Sequence, residues 1–397
     1  MKVLLISANS LVTPYPVYPL GLDYVAGAIA ADHEVRIEDI NNMGDYDSLG
    51  RAISGYSPDI IGISLRNIDS SDTVDSKGFM GEYRQCVDTI RRHSRAPLVL
   101  GGSGFSLFPE KIMEILGADY GIIGEGERLP LLLKAIENDQ QTSGIPGVVT
   151  PDIAGTAPLP LEKSFSRNYA PDRSHLRFYL QNGGMLNLQT KRGCPFRCIY
   201  CTYPHIEGKR LRLFSPEDVA SAALRLQNVG AKYLFITDSV FNSDSTHSIK
   251  VAHAFKSAGV SVPWGAFFAP TDPPDGYFET MAGAGLTHVE FGTESLSDNM
   301  LKSYRKPFQA DDVSKAHEAA NEAGLHVAHY FLLGGPGEDK KSLNETLSNI
   351  LNLDNSVFFF FALCVFIRIR RFMTRQWRQD RFQGLKTYLN RFSIGLN

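Results

Sequence analysis

The chain is poor in cysteine and tryptophan and has no large charge excess, and these shortages remove several classes of protein. Five cysteines in 397 residues cannot form a disulfide framework for a chain of this size, which argues against a small secreted scaffold. A formal net charge of −3 provides no field for a polyanion, so a general nucleic-acid binder is not expected. The opening residues, Met1 to Ser7, lack an apolar stretch with a small-residue cleavage site and read as a strand, not a signal peptide. One apolar run, Val357 to Ile367, is eleven residues long, too short to span a bilayer. The rest is ordinary, with 43% hydrophobic and 21% charged residues, and the length suffices for two domains with ample cores.

The scarce cysteines are not scattered. Three fall within eight residues, as Cys194-Pro195-Phe196-Arg197-Cys198-Ile199-Tyr200-Cys201. This C-x3-C-x2-C spacing reads as a metal site, because three thiolates supply soft ligands to three corners of a cubane iron–sulfur cluster. The fourth iron is then left open to a small molecule. Two other readings fit the same residues. His205 could complete a Cys3His zinc tetrahedron, or the thiols could be unligated in a turn. Zinc knots usually support small domains that lack a core, and free cysteines are usually buried singly, so iron is preferred. Clustered thiols also suit a reducing cytoplasm.

Short apolar runs alternate with amphipathic stretches over residues 1–138. Strands are expected at Val3 to Ser7, Val35 to Ile40, Asp59 to Leu65, Pro97 to Gly101 and Tyr120 to Gly124, with helices such as Leu20 to Asp32 and Glu82 to His93 between them. The alternation predicts an α/β, flavodoxin-like Rossmann domain with a mostly parallel sheet. Such sheets bind ligands beyond the carboxyl ends of their strands. The turns there are Ser64-Leu65-Arg66-Asn67, Gly101-Gly102-Ser103-Gly104 and Gly124-Glu125-Gly126-Glu127. Residues 139–184 carry Pro146, Pro151, Pro158, Pro160 and Pro171 with little periodicity and read as a linker. A second series follows over residues 185–361. Its expected strands are Leu186 to Thr190, Tyr233 to Thr237, Val262 to Phe268, His288 to Gly292, Val327 to Leu333 and Val357 to Phe361. Six βα units fit a partial TIM-like (β/α)6 barrel whose active groups lie at strand carboxyl ends, where the cysteine loop falls.

The cysteine spacing, with Gly193 before it and Tyr200 inside it, resembles the signature of the radical S-adenosylmethionine (radical SAM) superfamily. That resemblance implies Cys194, Cys198 and Cys201 as ligands of a 4Fe–4S cluster. The open iron would chelate S-adenosylmethionine, and an external one-electron reductant of the flavodoxin or ferredoxin kind would drive its cleavage to a 5'-deoxyadenosyl radical. By the same resemblance Asp238, in Thr237-Asp238-Ser239, would meet the amino group of S-adenosylmethionine. Glu294, in Gly292-Thr293-Glu294-Ser295, would meet its ribose, and Gly334 and Gly335 would let backbone approach its adenine or methionine end. Tyr200 would flank the adenine. Each has a plainer use: Asp238 or Glu294 as a helix-terminal carboxylate and Tyr200 as a core aromatic. Arg192 and Arg197 could hold a carboxylate or keep the loop soluble.

Together with the cysteines, the glycine turns resemble the cobalamin-binding domain of class B radical SAM enzymes. In this resemblance Ser64, Leu65, Gly101, Gly102, Ser103, Gly124, Glu125 and Gly126 face cobalamin. The Asp-x-His-x-x-Gly motif that supplies a lower cobalt ligand is absent. His33, in Ala31-Asp32-His33-Glu34, reads as a solvated helix end. Either cobalamin binds here with no protein ligand below cobalt, as in some members of the family, or the domain has lost it, and the first is preferred. The activity implied is methyl transfer to an unactivated carbon of a small-molecule or peptide substrate whose identity stays open. A cobalamin-dependent radical cyclase or rearrangement enzyme shares every motif, and a non-enzymatic zinc protein is a third reading. A tRNA methylthiotransferase needs three further cysteines for a second cluster, and Cys86 is the only cysteine before residue 194.

The C-terminus changes character. Residues 368–397 carry eight Lys and Arg against one acid, Asp380. An amphipathic helix on a membrane surface is one reading. A frameshift is preferred, because residues 361–375 can be back-translated so that a neighbouring frame yields the Arg-Ile-Tyr-Pro-x-Thr stretch that relatives show after the sixth barrel strand. An intact in-frame coding sequence through this segment would refute the frameshift.

Overall fold

The structure, a computed structural model, describes residues 1–13, 15–68, 78–152 and 174–362. Its first sheet contains β1 (Lys2–Ser7), β2 (Glu34–Asp39), β3 (Ile60–Ser64), β4 (Leu98–Gly101), β5 (Tyr120–Ile122) and β6 (Val148–Val149), in the order β2-β1-β3-β4-β5-β6. The first five strands run parallel and β6 pairs antiparallel with β5. β1 shows why the sheet is parallel and covered on both sides. Every residue after Lys2 is buried, with Leu4 and Ile6 in the core on one face and Val3 and Leu5 in the core on the other. The strand order is that of a flavodoxin-like doubly wound fold.

The second sheet contains β7 (Met185–Leu188) and, after a hairpin of β8 (Lys191–Arg192) and β9 (Arg212–Leu213), the strands β10 (Tyr233–Ile236), β11 (Trp264–Phe268), β12 (Leu286–Glu294), β13 (His326–Leu333) and β14 (Ser356–Ala362). The order is β14-β13-β12-β11-β10-β7, parallel throughout. Alternate residues, such as Leu234 and Ile236, Trp264 and Phe268, and Val289 and Phe291, pack outward under helices. The helices Pro216–Asn228 and Ser245–Ala258 start where Ser215 and Asp244 accept hydrogen bonds from first-turn amides. The result is an open (β/α)6 partial barrel. All eleven strands expected from the sequence form, with ends displaced by up to two residues.

Three places differ from the sequence reading. The stretch read as a linker contributes β6 to the first sheet and a helix, Ser174–Gln181, whose Tyr179 hydroxyl donates to the buried Asp39 carboxylate at 2.8 Å. Burial pushes the Asp39 carboxyl up to about 6 even with this hydrogen bond opposing it. A two-residue strand leaves no periodicity to read. His33 is not a solvated helix end: its side chain is largely buried beside Glu137, 3.6 Å away. It precedes β2, at the amino edge of the sheet, opposite the ligand-binding edge. The hairpin β8–β9, built of two-residue strands, has no periodicity in the sequence to signal it. Residues 153–173 of the expected linker and the basic tail, with both of its readings, lie outside the described residues.

Candidate active site

The cysteine loop is folded by its own sequence and by the barrel beneath it. Gly193 takes a φ of +88°, and a Cβ there would strike the Arg210 carbonyl, so only glycine serves. The Cys194 amide donates to the Gly208 carbonyl at 3.1 Å, and Ile199 donates to Tyr304 at 3.2 Å. Phe196 packs onto a core patch with Leu301, Phe308 and Phe331. These contacts bring the three thiols within electrostatic reach of one another, with Cys194 buried and Cys198 and Cys201 half-buried. Burial pushes the Cys201 thiol up to about 11 and raises Cys198. Among the described residues no three or more His, Cys, Asp or Glu side chains converge on a single metal ion. A cubane needs no such convergence, because each thiolate binds a different iron. The donor set fits a cluster with three protein ligands.

Beside the thiols lies a group brought together from three strands' ends. Glu294 closes β12 with a φ of +59°, where the register with β13 slips. A non-glycine residue held in that region is a strained position of the kind found at functional sites. Its carboxylate pairs with Lys306 at 2.5 Å, and Lys306 also donates to the Tyr200 hydroxyl at 3.2 Å. The ammonium lies 5.0 Å from the centre of the Phe308 ring. Burial, then the neighbouring Glu294 charge, raises the Tyr200 phenol. Tyr200 stands edge-on to Tyr304, which fills the space a Cβ at Gly335 would need. Gly334 has a φ of +83°. Thr293, next to Glu294, is in hydrogen-bond contact with buried His329 at 2.7 Å, and His329 with His317 at 3.1 Å. Tyr200, Glu294, Gly334 and Gly335 are therefore assembled around the cysteine loop. Lys306, missed in the sequence, is the residue that joins Tyr200 to Glu294.

Asp238 is placed differently. It is 1% exposed and pairs with Lys191 at 3.0 Å, while accepting from the Thr190 amide at 2.8 Å and from the Thr190 hydroxyl. Its oxygens are engaged inside the protein, a different use from the ammonium contact expected of it. Nor does it cap the following helix, which Asp244 does.

Lys306→Met leaves Glu294 without its cation. It should destabilise the chain by about 3 kcal/mol in urea unfolding, and Lys306→Arg should restore most of that loss.

A cavity of about 420 Å³ lies between the carboxyl edge of the first sheet and the concave side of the barrel. Ser64, Gly101, Gly102, Ser103, Gly124, Glu125 and Gly126 line it from one side, and Asn187, Gln189, Glu207, Phe235 and Phe267 from the other. Leu65 does not: its side chain is in the core, and its carbonyl accepts from the Gly104 amide at 2.9 Å. Gly102, at φ +98°, packs against that carbonyl too closely for a Cβ. Asn9 is 4% exposed on the cavity wall, and its side-chain oxygen has no hydrogen-bond partner among the described residues. A glycine-lined wall with an unsatisfied buried acceptor fits a broad, apolar ligand fringed with amide donors, as the corrin of cobalamin is. Among the described residues, no histidine lines the cavity.

Two arginines join the cavity rim to the cysteine loop. Arg192, two residues before Cys194, pairs with Glu127 at 2.5 Å and Glu125 at 3.5 Å, and Arg212 pairs with Glu125 at 2.5 Å. Glu207 lines the cavity and accepts from the Gly193 amide at 3.1 Å. Burial pushes its carboxyl up to about 7.

Comparison with known proteins agrees with this geometry. The Radical SAM superfamily model matches residues 188–350, and the B12 binding domain model matches residues 6–133. Both halves fall where the two sheets lie. The chain belongs to the cobalamin-dependent radical SAM enzymes. An uncharacterized methyltransferase of Pyrococcus horikoshii is 26% identical, over 85% of this chain and 73% of its own length. Tryptophan 2-C-methyltransferase of Streptomyces laurentii is 24% identical, over 86% of this chain and 69% of its own. The structure of the radical S-adenosylmethionine methyltransferase TsrM from Kitasatospora setae, with tryptophan and an S-adenosylmethionine analogue bound, is 25% identical. It superposes with a TM-score of 0.83 and covers 91% of this chain and 72% of that one. The cofactors of this cobalamin-dependent radical SAM enzyme are a 4Fe–4S cluster, S-adenosylmethionine and cobalamin. No helix among the described residues is long and apolar enough to cross a membrane.

Proposed function

We propose that this enzyme methylates a carbon of a small molecule. The observation that carries the reading is the shared wall. Through Arg192 and Arg212 the cysteine loop is tied to the Glu125–Glu127 turn on the rim of the glycine-lined cavity, so the two cofactor sites are held at a fixed separation. Bound there, the cluster and S-adenosylmethionine supply radical chemistry, and cobalamin supplies a transferable methyl group. In this reading Cys194, Cys198 and Cys201 hold the cluster. Tyr200, Glu294, Gly334 and Gly335 surround S-adenosylmethionine, with Lys306 fixing the first two and the Glu294 carboxylate accepting from ribose hydroxyls. Ser64, Gly101, Gly102, Ser103, Gly124 and Gly126 form the cobalamin face, while Glu125 serves by holding the arginines. Leu65 contributes only backbone, and Asp238 holds the barrel floor. An external one-electron reductant and a reducing cytoplasm suit a chain whose described cysteines are all free thiols.

The test separates methyl transfer from cyclisation. With cluster and cobalamin loaded, reductant present and substrate absent, labelled S-adenosylmethionine should give roughly one S-adenosylhomocysteine per bound cobalamin, and none when cobalamin is left out. Loaded enzyme that forms 5'-deoxyadenosine but no S-adenosylhomocysteine would favour the cyclase instead.

A further inference from the structure

The concave face of the barrel carries a pattern that holding the cofactors does not explain. Residues alternate across each strand, so those opposite the helix-packed positions face the barrel interior. On that face Phe235 of β10 meets Phe267 of β11 at 5.1 Å, Phe267 meets Tyr330 of β13 at 6.1 Å, and Tyr330 stacks on Phe359 of β14 at 4.9 Å and an 18° tilt. The aromatic row runs from β10 to β14 and misses the one strand between β11 and β13. On β12 the interior position is Glu290, whose carboxylate accepts from the Tyr330 hydroxyl at 2.8 Å.

This face is not core. Phe267 and Phe359 are 40% and 42% exposed, although each is large and apolar. It is continuous with the cavity, since Phe235 and Phe267 line both. Tyr15, from the opposite cavity wall, lies within electrostatic reach of Glu290. Among the described residues no lysine, arginine or histidine forms an ion pair with Glu290, whereas the half-buried to buried carboxylates Glu125, Glu127 and Glu294 each have at least one. Burial raises the Glu290 carboxyl, so a cation or N–H donor arriving beside it would be favoured.

We propose that this face is the substrate platform, and that the substrate is a planar aromatic molecule whose nitrogen donates a hydrogen bond or positive charge to Glu290. The aromatic row supplies stacking and cation–π attraction, and Glu290 supplies the one directional contact. The proposal rests on the reading above for the place of the substrate next to the cofactors. Glu290 is then a specificity-determining residue, not a cofactor ligand.

Calorimetric titration of the enzyme loaded with cluster and cobalamin tests it, with naphthylethylamine, naphthylpropionate and hexylamine as probes. Absorbance spectra record cofactor loading separately, so that a failure of the cofactor reading is seen before any probe is added. Naphthylethylamine should bind at least roughly tenfold more tightly than either other probe. Glu290→Gln should remove its advantage over naphthylpropionate while leaving cofactor loading unchanged. Phe267→Leu should weaken both naphthyl probes by a larger factor than it weakens hexylamine, which loses at most a cation–π contact. Loaded enzyme that binds acid and amine equally, binds neither, or keeps its amine preference in Glu290→Gln would overturn the proposal.

Discussion

Cys198→Ala is expected to remove the cluster and, with it, all turnover of S-adenosylmethionine. Iron should fall from about four per chain to a small residue, and activity should fall by more than the ~10–100-fold that loss of a group merely supporting a metal ligand costs. The loop itself should survive, because its anchors are the Phe196 side chain and the Cys194 and Ile199 amides, none of which the substitution touches. Cobalamin binding should survive too, since no described cysteine lines the cavity. Cys86→Ala is the control. That thiol is buried in the first domain's core, with burial pushing it up to about 12, so its loss should cost some stability and leave iron content unchanged. Iron, sulfide and visible absorbance on the anaerobically reconstituted proteins measure both outcomes.

Asp238→Ala should act on stability in the absence of any cofactor. The carboxylate and the Lys191 ammonium are each 1% exposed, and Lys191 also donates to the Phe241 carbonyl at 2.6 Å. Removing the acid leaves a buried cation with one carbonyl and the face of the Phe241 ring, 5.0 Å away, for company. Breaking a pair of this kind costs about 4 kcal/mol. Urea unfolding of the cofactor-free chain reads this loss. Were Asp238 only a contact for an S-adenosylmethionine ammonium, the cofactor-free variant would be as stable as the parent and only affinity for S-adenosylmethionine would change.

The contrast between these two residues shows what the sequence could convey. Cys194, Cys198 and Cys201 are eight residues from end to end, so their gathering in one loop was legible, and their reading as cluster ligands rests on local spacing and ligand softness. The glycine turns were legible as well, because parallel βα alternation places them at the carboxyl edge whatever their neighbours. The buried partners of Asp238 were not, because Thr190 and Lys191 lie 48 and 47 residues back, and only folding brings them to its carboxylate. Lys306 was missed for a similar reason: Tyr200 is 106 residues away, and a lone lysine before Pro307 carries no local signal. The position of Leu65 after a strand points to a ligand-facing turn, but its amide continues the ladder to the Gly101 carbonyl and its side chain enters the core. The two-residue β6 and the β8–β9 hairpin are too short for periodicity to register.

Loading both cofactors on one chain decides the account most directly. The protein, purified without oxygen and supplied with iron, sulfide and hydroxocobalamin, should retain about four irons and four sulfides per chain together with one cobalamin after gel filtration, and Cys198→Ala should lose the iron alone. A chain that holds zinc with neither iron nor sulfide, or that passes through the column free of cobalamin, would contradict it.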